Sequence, residues 1–223
     1  MNLAVNLTTS IGLNIITLAG IVWSLSFVLS SKKLLAGLSI AWILLFNIPF
    51  MEWSLCDYIY ALFDVPSVML ILLCLYYLLR FWVSDCVRQD SKQKLQAFLH
   101  KPFFPPSVQY VWIVLGIFLY FGALGIFGIL GYGFVDIYHL EFRITLFILC
   151  VISIISYSLN ALTGWGIILC IIAYQVQILG QMSIWEYCVD PFLWVGCIVL
   201  ALWRGFCFVY RIFGGVKNGK KVA

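Results

Sequence analysis

The chain has 223 residues, 64% of them hydrophobic and only 10% charged. About a quarter of the residues in a soluble domain are charged, so a water-soluble fold is excluded. The net charge is +4, but the basic residues lie in short connectors between apolar runs and no RNA- or DNA-binding motif is present, so the charge reads as membrane orientation and not as a nucleic-acid surface.

A bilayer core of about 30 Å takes roughly 20 apolar residues in helical form, because backbone groups in hydrocarbon must be satisfied within the segment. The apolar runs at 11–30, 34–51, 65–83, 108–132, 143–159, 164–181 and 191–211 are therefore read as seven transmembrane helices. The fold class expected is an all-α integral membrane protein, with residues 1–223 forming one polytopic bundle. The opening stretch MNLAVNLTTSIGLNIITLAG has no basic residue ahead of its apolar run, so it reads as a retained span and not as a cleaved signal peptide. Between the fifth and sixth runs only SLNALTGWG breaks the pattern, with Asn160, Thr163, Gly164 and Gly166 as turn formers.

Charge tests the count independently. With the N-terminus outside and the C-terminus inside, Lys32, Lys33, Arg80, Arg88, Lys92, Lys94, Lys101, Arg204, Arg211, Lys217, Lys220 and Lys221 all fall inside. That is twelve of the thirteen Lys and Arg residues, with only Arg143 outside, and basic residues set orientation. The basic inner loop is 84–107 and the basic inner tail 212–223. Within that loop Val87, Lys94, Leu95, Phe98 and Leu99 suit a short helix lying on the membrane surface. Compact connectors and this bias suggest a bacterial cytoplasmic (inner) membrane.

The outer connectors hold seven of the nine acids. MEWSLCDYIYALFDVPS, residues 51–67, carries Glu52, Asp57 and Asp64; DIYHLEFR carries Asp136, His139, Glu141 and Arg143; WEYCVDP carries Glu186, Cys188 and Asp190. Imidazole and carboxylate together suit zinc or manganese, so His139, Glu141 and Asp136 are candidate metal ligands. As catalytic candidates, His139 would be base or ligand and Asp57, Glu141, Glu186 or Asp190 acids. Their spacing matches no metalloenzyme signature, and the expectation is that topology alone places most of these acids, with no bound metal and no cofactor. Trp53-x-x-Cys56-Asp57 and Trp185-x-x-Cys188-x-Asp190 resemble each other; chance explains this better than duplication does. In an oxidising outer compartment Cys56 and Cys188 are the two cysteines placed to form a disulfide, provided their Cα atoms approach within about 7 Å.

Within the spans no carboxylate or lysine lies near a helix centre, so the usual mark of a proton- or ion-coupled pathway is missing. The seventh run has no lysine to carry a retinal Schiff base. Asn14, Asn47, Gln175 and Gln177 are the candidate cavity-lining residues. In the fourth run Gly122, Gly125, Gly128 and Gly131 are expected to let helices pack closely. P-loop, H-E-x-x-H, G-x-S-x-G and C-x-x-C motifs do not occur. The leading functional expectation is a non-enzymatic scaffold or accessory subunit of an envelope assembly or transport system, with the lipid bilayer, a membrane protein or a second copy as partner. Two alternatives stay open: a facilitator of a neutral or amphiphilic solute, and an outward-facing enzyme acting on lipid headgroups.

Overall fold

The computed structural model describes residues 3–29, 31–50, 53–63, 65–86, 101–126, 137 and 140–218. It is helical apart from one small antiparallel ladder. In chain order the elements are α1 (Leu3–Ser26), α2 (Lys32–Asn47), β1 (Pro49–Phe50), β2 (Trp53–Ser54), α3 (Leu55–Phe63), α4 (Val68–Cys86), α5 (Pro106–Gly116), α6 (Phe142–Leu159), α7 (Ala161–Gln175), α8 (Ile184–Cys188) and α9 (Pro191–Asn218). Among the described residues, three stretches are long and apolar enough to cross a membrane: Leu7–Ser26, Phe142–Leu159 and Pro191–Tyr210. Val68–Val83, Pro106–Phe121 and Ala161–Gln175 are apolar but shorter. The surface helix expected around residues 87–99 lies outside the described residues.

Local chemistry sets the boundaries. Ser31 caps α2, its hydroxyl accepting from the Leu34 N–H, and Pro49 ends it by forcing Ile48 into an extended conformation at ψ 124°. Pro106 opens α5, where its missing N–H costs nothing. Asn160 is extended and caps α7 through the Leu162 N–H. Thr163, Gly164 and Gly166, read from sequence as turn formers, are instead buried within α7. One capped residue is thus enough to separate α6 from α7.

The chain divides into two compact units, 1–103 with 153–190 and 104–152 with 191–223. In the first, Ala19 and Val22 of α1, Leu35 of α2 and Leu78 of α4 form one buried cluster. Leu13, Phe46 and Cys56 join α1, α2 and α3 in another. Asn14 and Asn47 bridge α1 and α2 reciprocally, each amide nitrogen donating to the other's oxygen at 3.1 and 2.7 Å. Met69 of α4 and Phe103 pack at 3.1 Å from where a Cβ on Gly166 of α7 would sit. The chain just before α5 is pinned by Tyr76 donating to the Lys101 carbonyl at 2.6 Å, and by Asn160 and Thr163 donating to that of Phe103.

In the second unit, Trp194 of α9 lies against Gly116 so closely that a Cβ there would fall 2.1 Å from its ring. Only glycine fits. The indole N–H donates to the Ile113 carbonyl at 3.1 Å, just before a π-helical turn at Ile117–Phe121. Arg204 donates to the Gln109 side-chain oxygen and the Leu200 carbonyl. The helix expected to continue over 108–132 breaks at Gly125, whose φ of 67° is left-handed and strained for any residue with a side chain. Gly122 is buried, nothing lies near Gly125, and Gly128 and Gly131 fall outside the described residues. The close approach shown here uses Gly116, which the glycine spacing does not reveal.

Candidate functional site

The first unit has two chemically different ends. At one, Lys32 donates to the Phe81 carbonyl at 3.4 Å and sits over the Phe81 ring at 5.1 Å. At the other, Thr8 donates to the Ile178 carbonyl, Cys56 meets Ser10, and Ser67 meets Asp190. Asp57, Glu186 and Asp190 belong to this second, acidic end, which is the candidate site.

Each of these acids is tied to a serine and a helix start. Ser54 precedes α3; its hydroxyl accepts from the Asp57 N–H at 3.2 Å while Asp57 accepts from the Ser54 N–H at 2.8 Å and the hydroxyl at 2.5 Å. Ser183 precedes α8, and Glu186 accepts from the Ser183 N–H at 2.8 Å in a complete capping box. Both arrangements satisfy backbone donors that a helix start leaves orphaned, and set a carboxylate against the positive end of the helix dipole. Asp190 works over a longer range. It is 5% exposed and accepts from both the N–H and hydroxyl of Ser67, at 3.1 and 2.6 Å. Ser67 in turn accepts from the Leu70 N–H and starts α4. Asp190 therefore clasps the start of α4 across 123 positions of sequence.

A tyrosine and two thiols complete this end. The Tyr187 hydroxyl accepts from the Leu179 N–H at 3.0 Å and donates to the Gly180 carbonyl at 2.9 Å, with its ring edge-on to Tyr174. Burial pushes its phenol up from 10.0, the Leu179 N–H pulls it back, and Tyr174 and Glu186 push it up again. Cys56 is buried and donates to the Ser10 hydroxyl at 3.5 Å. Burial raises its thiol from 9.0, the Ser10 contact lowers it, and the Asp57 charge raises it. Cys56 and Cys188 are both free thiols. Cys188 neighbours Cys170 of α7.

The remaining candidates fall elsewhere. Asn14 and Asn47 are engaged with each other and with the Ser10 and Ile43 carbonyls of their own helices. Gln175 ends α7 and is exposed; Gln177, also exposed, takes a left-handed φ of 54° in the following turn. Glu141 and Arg143 are exposed and belong to the second unit. Asp136 and His139 lie outside the described residues. Among the described residues, no group of three or more His, Cys, Asp or Glu side chains is gathered as for a metal.

The signal that would have explained two of the acids was in the sequence: S-L-C-D at 54–57 and S-I-W-E at 183–186 are capping-box patterns. Aligning the turns on these boxes shifts them by three positions from the W-x-x-C alignment, so the tryptophan–cysteine likeness does not mark equivalent sites. Comparison with family models, with curated proteins and with solved structures yields no match.

Proposed function

We propose that this is a seven-span protein of a bacterial cytoplasmic membrane, N-terminus outside, serving as a non-enzymatic scaffold or accessory subunit in envelope assembly or transport. The observation that carries the reading is how the polar side chains are used. Asp57, Glu186 and Asp190 hold helix starts, and Asn14 and Asn47 hold two helices together. Catalysis or solute passage at this end would have to draw on groups already committed to the fold. By contrast α9 offers a broad unclaimed face. Only 11% of Pro191–Tyr210 is buried within the chain, and Trp203, Phe206 and Tyr210 form an exposed aromatic stripe along it.

The orientation rests on charge. Lys32 at one end of the first unit and the acids at the other agree with basic residues inside. At about 1.5 Å per residue, the 28-residue α9 is roughly 42 Å long and exceeds the hydrocarbon core, so its basic end reaches past the inner surface.

The test is purification from the native membrane in mild detergent, with mass spectrometry of everything retained. A stoichiometric protein partner is the expected result. A chain that comes away alone with a defined lipid or solute overturns the accessory reading and favours headgroup chemistry or transport. Reporter fusions at residue 223 check orientation separately: a C-terminal fluorescent protein should fold and glow, and a C-terminal alkaline phosphatase should stay inactive.

A further inference from the structure

We propose that Cys170 of α7 and Cys188 of α8 are a disulfide-forming pair, which staples the short helix α8 to the end of α7 in place of the Cys56–Cys188 bridge that the connectors suggest. The native form of the staple rests on the proposed outward placement of the 176–190 turn.

Three observations converge on the pair. The two thiols are neighbours and are 0% and 1% exposed. The elements that carry them are fixed against each other: Tyr174, one helical turn beyond Cys170, meets Tyr187, the residue before Cys188, with ring centroids 5.5 Å apart at 90°. The Tyr187 hydroxyl is held from both sides by Leu179 and Gly180, and the capping box holds the start of α8. Neighbouring thiols on elements held in this way can approach to the bonding distance of about 2.05 Å. Cys56 has no such route. Its sulfur is on Ser10, in a cluster with Leu13 and Phe46.

The chemistry is thiol–disulfide exchange. The oxidant is a disulfide, either small or borne by a protein. The Cys188 thiolate attacks one of its sulfurs, forming a mixed disulfide and releasing one thiolate. The Cys170 thiolate then attacks the Cys188 sulfur and releases the second. Two cysteine protons and two electrons leave the pair, and the oxidant becomes two thiols. Because both sulfurs are buried, exchange takes place before α8 docks or on its local opening, and the closed bond is shielded from reductant.

The experiment uses the full chain with no reductant. One sample is denatured straight from the membrane with excess N-ethylmaleimide. Another is purified, reduced, then equilibrated with oxidised glutathione before the same trapping. Both are digested and the peptides mapped by mass spectrometry. A Cys170-to-Cys188 linked peptide in the glutathione sample supports the pair, and Cys56→Ser should leave its yield unchanged. The same link in the membrane sample supports the native staple. A link only after glutathione treatment supports the pair and overturns the outward placement of this turn. Maleimide on both cysteines in both samples, or a Cys56-to-Cys188 link, overturns the pair.

Discussion

The two connectors at the acidic end of the first unit use the same device under different conditions. In the first, around α3, Ser54 and Asp57 cap a helix start with the carboxylate exposed. In the second, around α8, Ser183 and Glu186 make the equivalent box half-buried, and two residues past α8 the chain adds a buried carboxylate, Asp190. The first arrangement is local and water competes for it. The second reaches across to α4, and water does not replace what it supplies. An aspartate within a box, Asp57, and one four positions beyond a box, Asp190, thus carry different weight according to what surrounds them, because a buried donor without an acceptor costs far more than an exposed one.

Substitutions should expose that gradient. Asp190→Ala leaves the Ser67 N–H and hydroxyl without an acceptor in a buried setting, and is expected to cost about 2–3 kcal/mol, read as a large fall in the thermal transition in detergent. Asp190→Asn keeps an accepting oxygen and should lose clearly less; equal losses would mean that the contact with Ser67 is not what Asp190 provides. Glu186→Ala, removing one arm of a half-buried box, is expected to cost about 1 kcal/mol. Asp57→Ala should cost about 0.5 kcal/mol at its exposed counterpart. If Asp57→Ala proved as damaging as Asp190→Ala, burial would not be the distinguishing factor.

Much of the helix pattern was legible because it depends on composition alone: an apolar run must satisfy its own backbone, whatever it packs against. The break at Asn160 was legible for the same reason, though not that Thr163 and Gly164 would be absorbed into α7, since Thr163 finds its acceptor in Phe103, 60 residues away. Asn14 and Asn47 read from sequence as cavity-lining residues; that they pair with each other is a matter of register between α1 and α2. Asp190 is the clearest limit. In sequence it is one acid among several in the connectors between apolar runs. Its role is set by Ser67, 123 positions earlier, and no local pattern links them. Gly116 was passed over in favour of the regularly spaced glycines, because the Trp194 ring that demands it lies on another helix.

The smallest expected effect probes the exposed turn from within. Burial and the Asp57 charge both raise the Cys56 thiol above 9.0, with Ser10 opposing them. Since the thiolate is the reactive form, Cys56 should be alkylated at pH 8 more slowly than a thiol in the unfolded chain. The folded protein holds that proton more tightly, so its stabilising contribution is complete below 9.0 and is lost as pH rises through the folded value. Asp57→Asn keeps an oxygen to accept from Ser54 but removes the charge, and burial is the larger cause. The alkylation rate should therefore rise only about twofold, against a much larger rise when the chain is unfolded. A rate in Asp57→Asn close to that of the unfolded chain would make the carboxylate, and not the packing of Cys56 against Leu13 and Phe46, the chief guard of the thiol.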